Sequence, residues 1–256
     1  MHLLDVLVFG IVEGITEFLP ISSTGHLMLT AKLLQINQTE FVKSFEIAIQ
    51  LGAILAVVVL YWDRLIKGWE IWKRLLIAFA PAALIGALLY KTIKRYLLGN
   101  NEVVLWSLFI GGLFLIIFEL FHHEKEDAVE ELSGVSYSQA LIIGLFQSVA
   151  MIPGVSRAAA TIIGGLFVGL KRKTIVEFSF LLAVPTMLAA TALDLFKSAQ
   201  VFKSEQFVSL GAGFVISFLT AIIAIKFLLA FIKRHSFISF GAYRVIIALV
   251  FWFIVK

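Results

Sequence analysis

Apolar residues in this chain fall in long, almost uncharged runs separated by short polar breaks. Six runs, at 41–61, 75–90, 103–121, 177–196, 207–231 and 237–255, read as complete membrane spans. A helix needs about twenty apolar residues to cross roughly 30 Å of hydrocarbon, and a helix on a soluble core would show a polar face at every turn instead. The second run is short and contains Pro81, which leaves its ends open. Two further apolar regions, 6–35 and 139–170, are interrupted midway by a polar turn containing proline. These turns are Leu19-Pro20-Ile21-Ser22-Ser23-Thr24-Gly25-His26 and Pro153-Gly154-Val155-Ser156-Arg157. The flanking arms, about a dozen residues each, are too short to span alone. The pattern therefore predicts helical hairpins that enter and leave on one side, with the non-helical tips covered by protein or a wet cavity. The predicted fold class is an all-α integral membrane protein with six transmembrane helices plus two re-entrant helical hairpins.

The two interrupted regions resemble each other. Gly10-Ile11-Val12-Glu13 parallels Gly144-Leu145-Phe146-Gln147 at an offset of 134. After a one-residue gap, Pro20 aligns with Pro153 and Ser23 with Ser156 at an offset of 133, which also pairs Phe45 with Phe178 and Leu55 with Leu188. Each half then holds one hairpin and three spans: residues 1–121, a polar linker over 122–138, and residues 139–256. Three is odd, so the second half is expected upside down relative to the first. Such an inverted-topology repeat places its site near the midplane where the halves meet.

Composition sharpens this picture only in part. Hydrophobic residues make up 61% of the chain and the mean hydropathy is +1.00, well beyond the balance of a soluble domain. The net charge of +4 comes from basic residues scattered between apolar segments, not from a clustered face, so a nucleic-acid partner is not expected. There is no cysteine, hence no disulfide or thiolate chemistry. The N-terminal Met1-His2-Leu3-Leu4-Asp5 lacks the basic start of a cleavable signal, so insertion is expected to rely on the mature helices. The side with the 62–74, 122–138, 171–176 and 232–236 loops carries ten Lys and Arg against eight on the other, a slight bias toward termini outside the cell. His122-His123-Glu124-Lys125-Glu126-Asp127 reads as a solvated charged linker before it reads as a metal site.

Candidate chemistry gathers at the two turns. Glu13 and Glu17 stand four apart and share a helix face. Two carboxylates at low dielectric repel, which a cation resolves, and oxygen-only ligands favour Mg²⁺ or Ca²⁺. Ser22 or Ser23 can cap the helix that follows the first turn, and Ser156 the helix that follows the second. Both helix N-termini then lie inside the membrane as anion sites, with Arg157 adding a planar fork suited to phosphate oxygens. In the 133 register Arg157 stands where the first half has Thr24, while Glu13 and Glu17 correspond to Gln147 and Met151. Hydroxyls at Ser22, Ser23, Thr24, Ser156 and Thr161, the Gly154 backbone, the His26 imidazole, the acid pair and the guanidinium together suit phosphoryl transfer. Ser23, His26 or a metal-activated water can each serve as nucleophile. Ser23, assisted by His26, is favoured because it shares the level of Ser156 and Arg157, with Glu17 as its base.

The stretches Glu13 through His26 and Pro153 through Arg157 closely resemble the two signature motifs of the BacA/UppP-type undecaprenyl-diphosphate phosphatases. Phe45-Glu46 through Gln50-Leu51-Gly52 and Glu177 through Pro185 are similar to that family too, so the resemblance covers nearly the whole chain. It implies a bacterial inner-membrane enzyme converting a C55 isoprenyl diphosphate lipid to the monophosphate with a divalent cation, its active site opening to the periplasmic side. Such an enzyme recycles the lipid carrier of cell-wall synthesis. One departure stands out: the family's second motif commonly continues Ser-Arg-Ser-Gly-Ala-Thr, whereas this chain reads Ser156-Arg157-Ala158-Ala159-Ala160-Thr161. The alternative is a transporter or flippase of a lipid phosphate using the same midplane anion site. Oligomeric state is not written in these residues, and a homodimer is among the arrangements they allow.

Overall fold

The structure, a computed structural model, describes residues 1–92, 97, 100–197 and 204–255. The described residues form helices α1 (Leu3–Thr16), α2 (Ser23–Leu33), α3 (Glu40–Leu60), α4 (Trp62–Lys67), α5 (Trp69–Thr92), α6 (Asn101–Phe121), α7 (Tyr137–Val149), α8 (Arg157–Phe167), α9 (Arg172–Lys197), α10 (Ser204–Phe231) and α11 (Ile238–Val255). Their starts are set by ordinary caps. Thr39 accepts the Val42 amide, Asn100 accepts Glu102 and Val103, and Ser136 with Gln139 forms a capping box. Five helices are long and apolar enough to cross a membrane: Phe41–Leu60, Trp69–Leu89, Asn101–Phe121, Arg172–Ala192 and Gln206–Phe231. The sixth expected span, 237–255, is a shorter apolar helix. The chain is thus an all-helical, multi-pass membrane protein.

Two boundaries differ from the sequence pattern. Residues 62–74, expected as a loop, hold α4 and the start of α5; there Leu65 is buried in the core and Arg64 is tethered to Glu177 at 2.5 Å. The helix around Pro81 is also longer than expected, running Trp69–Thr92 with the proline inside it. The linker is mostly exposed but fixed. Arg172 pairs with Glu124 at 2.9 Å, Lys171 with Glu130, and Val129 bridges Leu170. Of the cations counted on the termini side, Lys94, Arg95, Lys203 and Lys256 lie outside the described residues.

Helix α9 lies innermost, with 67% of its apolar stretch buried against 17% for α5. Phe178, Phe180, Leu181 and Leu182 of α9 join Phe18, Ala53 and Val57 in the main core. Large apolar side chains elsewhere face outward, among them Phe121, Leu88 and Phe253, as expected where lipid is the solvent. Close helix pairs then depend on small residues, because apolar side chains gain little by leaving lipid for protein. α1 packs on α10 through Gly10 and Gly14: a Cβ on Gly14 would stand 1.9 Å from Thr220 Oγ1 and 2.5 Å from the Ser217 carbonyl. α7 packs on α5 in the same way at Gly144, where a Cβ would meet the Ala78 carbonyl at 2.2 Å.

The chain breaks twice between helices at matching geometry. α1 and α2 are separated by residues 17–22, α7 and α8 by 150–156, and the members of each pair pack together. Ser22 and Ser156 precede the second helix at φ 73° and 78°, a region costly for residues other than glycine. Each second helix has 11 residues, and each exits through a left-handed residue, Gln35 or Gly169. The backbone thereby sets Ser156 opposite Ser22, one residue away from the expected register that matched it to Ser23. Prolines suggested the 133 offset, but the caps keep 134 through both turns. Arg157 therefore stands opposite Ser23, not Thr24.

Candidate active site

The two breaks meet at one cavity of about 260 Å³. Glu17, Ser22, Ser23 and Thr24 line it from the first break, and Pro153, Gly154, Ser156 and Arg157 from the second. Gln50 of α3, Ala150, and Met187 and Ala190 of α9 complete the wall. The helix starts are built alike. Ser22 Oγ accepts the Gly25 amide at 3.3 Å, and Ser156 Oγ accepts the Ala159 amide at 3.2 Å. Ser22 is thus the cap of the first turn, which leaves the Ser23 hydroxyl free for other work. The amides of Ser23, Thr24, Arg157 and Ala158 make no hydrogen bond among the described residues. Two helix N-termini with unspent N–H groups therefore face one cavity, the arrangement that binds phosphate oxygens.

A short chain of side chains joins the two starts. The Ser23 hydroxyl donates to Glu17 Oε2. The other carboxylate oxygen, Oε1, accepts from Arg157 Nη2 at 3.3 Å. Arg157 is anchored from behind: Nη1 donates to the Ser179 carbonyl at 2.8 Å, and the guanidinium lies over the Phe18 ring at 5.8 Å. Thr161 does not reach the cavity. Its hydroxyl meets Ser179 Oγ at 2.7 Å and donates to the Arg157 carbonyl at 2.9 Å, so it braces the arginine's own turn. Chemically, Glu17 can take the Ser23 proton while the neighbouring guanidinium offsets its charge.

Glu13 lies one turn behind Glu17, with neither exposed surface nor a place on the cavity wall. Both its carboxylate oxygens are buried without a hydrogen-bond partner among the described residues. An orphaned carboxylate is costly, and one beside a second glutamate suits a hard divalent cation held by oxygen ligands. Glu13 and Glu17 are the residues that would hold such an ion, with no third acid or histidine grouped beside them among the described residues.

His26 takes a different course from the one expected. Nδ1 contacts the Ser22 carbonyl at 2.7 Å, while Nε2 contacts the Tyr243 hydroxyl at 2.8 Å. The two rings stack at 5.5 Å, and His26 contributes nothing to the cavity wall. Its visible work is to hold the strained Ser22 peptide and to dock α2 on α11.

Arg244 of α11 was not singled out by the motifs, yet it ties the two turns together. It is wholly buried, and all five of its donors reach carbonyls. Nη1 serves Pro20 at 3.3 Å and Val155 at 2.9 Å; Nη2 serves Ser107 and Gly154, each at 3.0 Å; Nε reaches Leu108 at 3.4 Å. A trans peptide points its C=O and N–H in opposite directions. The Val155 carbonyl turned to Arg244 thus aims the Ser156 amide the other way, away from Arg244. Gly154 completes this turn at φ 93°, where a Cβ would also strike the Val104 carbonyl at 2.6 Å. A lone arginine within the run 237–255 was the available signal, since ionisable residues in a span rarely lack a task. Gln50 and Ser179 lie in the family-like stretches 45–52 and 177–185, where no polarity or spacing marked them individually.

Known proteins bear on this arrangement directly. The chain is 56% identical to an undecaprenyl-diphosphatase of Aquifex aeolicus, with 96% of both chains covered. It is 50% identical to the protein of that name from Persephonella marina, over 98% of each. A third, from Wolinella succinogenes, is 48% identical over 99% of this chain and 98% of its own. Residues 6–250 match the family described as bacitracin resistance protein BacA, and with that match spanning both turns and nearly every helix, the chain belongs to the BacA family.

Proposed function

We propose that this protein is a membrane phosphatase that hydrolyses undecaprenyl diphosphate to undecaprenyl phosphate and inorganic phosphate. Its relatives carry the name of that activity. The observation that carries the mechanism is the Ser23–Glu17–Arg157 chain set between two helix N-termini. In this reading the amides of Ser23, Thr24, Arg157 and Ala158 and the Arg157 guanidinium hold the diphosphate oxygens. Ser23 Oγ attacks the terminal phosphorus as Glu17 takes its proton. The bond from that phosphorus to the bridging oxygen breaks, and the lipid monophosphate leaves. Water then attacks the phosphoserine, its proton passing to a base, and orthophosphate departs with the Ser23 hydroxyl restored. The orientation of His26 toward Ser22 and Tyr243 supports a positioning role for it over direct attack. Glu13 and Glu17 would hold Mg²⁺ or Ca²⁺, which when bound supplies charge neutralisation for phosphate oxygens.

The setting we infer is a pair of re-entrant hairpins inside six spans, related as an inverted repeat. The supporting geometry is the matched breaks and an exchange of partners: α1 packs on α10 of the second half, and α7 on α5 of the first. Met187 and Ala190, which line the cavity, lie in the C-terminal half of α9, and this supports an opening toward that end of the helix. The slight loop-charge bias supports reading this side as the periplasmic face of a bacterial inner membrane. A carrier would also use such a repeat, but would need no hydroxyl activated by a glutamate.

Phosphate release by the purified protein in detergent tests the enzyme, because transport needs two compartments. Acid quench during turnover should trap an acid-stable phosphate adduct on Ser23, and Ser23→Ala should be inactive. An acid-labile adduct on His26, or full turnover by Ser23→Ala, would overturn the assignment.

A further inference from the structure

The opposite face of the protein carries a second concavity that the reaction does not use. It encloses about 470 Å³ between the start of α9 and the α10–α11 connection. Five cations line it, Lys171, Arg172, Lys173, Lys233 and Arg234, against the single acid Glu124. Two of the five are matched, Lys171 by Glu130, and Arg172 by Glu119 and Glu124, both at 2.9 Å. Lys173, Lys233 and Arg234 have no carboxylate partner among the described residues, and all three are exposed. Basic loop residues are ordinary at a membrane surface. Convergence of three unmatched ones on a concavity is not, because like charges repel unless an anion gathers them. The position is equally specific. Membrane helix α9 begins here at Arg172, α10 ends at Phe231 and α11 starts at Ile238, so the concavity stands at headgroup level. Its floor is fixed, with Lys171 hydrogen-bonded to the Val129 carbonyl at 3.0 Å and Thr174 to the Glu130 carbonyl at 2.6 Å.

We propose that this concavity is a binding site for the headgroup phosphate of an anionic phospholipid on the linker side of the membrane. Lys173, Lys233 and Arg234 supply the charge, and the adjoining ends of α9, α10 and α11 let the acyl chains stay in the bilayer. A soluble phosphate would meet the same cations but would lack that apolar continuation.

The test uses delipidated full-length protein titrated with phosphatidylglycerol, with phosphatidylcholine of the same acyl chains, and with inorganic phosphate, bound molecules being counted by native mass spectrometry. Phosphatidylglycerol is expected to bind tightest. The triple variant Lys173→Gln/Lys233→Gln/Arg234→Gln should lose about a hundredfold in that affinity, given the contribution of each basic residue near an anionic surface. A control, Lys67→Gln/Lys73→Gln, removes charge from the same face away from the concavity and should stay within about threefold. Phosphate release from undecaprenyl diphosphate should persist in both variants and reports that they are folded. Equal losses in the two variants would reduce the effect to diffuse surface charge and overturn the site. So would equal binding of phosphatidylcholine, or inorganic phosphate that binds as well as the anionic lipid.

Discussion

Replacing Arg244 by lysine tests whether the two turns are held by one side chain. The guanidinium satisfies five carbonyls with five donors, and an ammonium has only three. At least two of those carbonyls would lose their partner. At about 1–3 kcal/mol for each buried acceptor left unpaired, the cost is roughly 2–6 kcal/mol, a large share of a total stability of about 5–15 kcal/mol. The loss is local to the Pro20, Gly154 and Val155 peptides, so it should also reach the chemistry. Displacement of reacting groups by about an ångström costs on the order of a hundredfold in rate. Arg244→Lys should therefore lower the thermal midpoint in detergent by several degrees and reduce kcat far more than it raises KM. Gly111→Ala provides a second approach that keeps the arginine. Its Cβ would stand 2.3 Å from Arg244 Nη2, which must shift the fork, and a smaller effect in the same direction is expected. An Arg244→Lys protein with unchanged midpoint and unchanged kcat would refute the tie.

Further outcomes follow from the same geometry. Arg157→Lys keeps the charge but loses the planar fork shared between Ser179 and Glu17, and should cut phosphate release tenfold or more; Arg157→Ala should cost on the order of 3 kcal/mol in the barrier, about a hundredfold. Glu17→Gln removes the proton acceptor of Ser23 and should abolish turnover while the protein still inserts and elutes as the parent does. Gly14→Ala drives a Cβ into the Ser217 backbone and Thr220, and should lower stability by about 1–3 kcal/mol, read as a lower thermal midpoint.

What the sequence made legible was what depends on length and polarity. Apolar runs located the membrane helices, and Pro, Gly and Ser clusters located both breaks. Glu17, Ser23, Ser156 and Arg157 meet at one cavity as the motifs suggested. Direction was the weaker part, because a motif does not tell which way a side chain turns. His26 and Thr161 face neighbouring helices, not the cavity. The register of the two turns has a similar basis: Pro20 and Pro153 imply an offset of 133, but the cap geometry of Ser22 and Ser156 sets the backbone at 134. Short α4 gives no periodic signal because its six residues hold too few apolar positions, and tertiary contacts fix it: Leu65 in the core, Trp72 on the Leu65 carbonyl and Arg64 on Glu177.

That register changes what the two halves contribute. Both keep a serine cap in the left-handed region and a helix start on the cavity, so the same backbone geometry occurs twice. The next residue, first in each inner helix, is Ser23 on one side and Arg157 on the other. Two serines there would leave the phosphate charge uncompensated, and two arginines would leave no nucleophile. In the proposed mechanism, one of each gives a phosphate held between the helix starts an attacking oxygen on one side and a cation on the other. Glu17 then couples them, since only the first break carries the acid. The matching position holds Met151, and Gln147 in place of Glu13 is neutral and accepts a bond from Thr186 at 3.3 Å. A single carboxylate between one hydroxyl and one guanidinium gives the proton one place to go. In the proposed mechanism, the asymmetry at the first residue of each inner helix thus turns a symmetric pair of helix starts into a directional site.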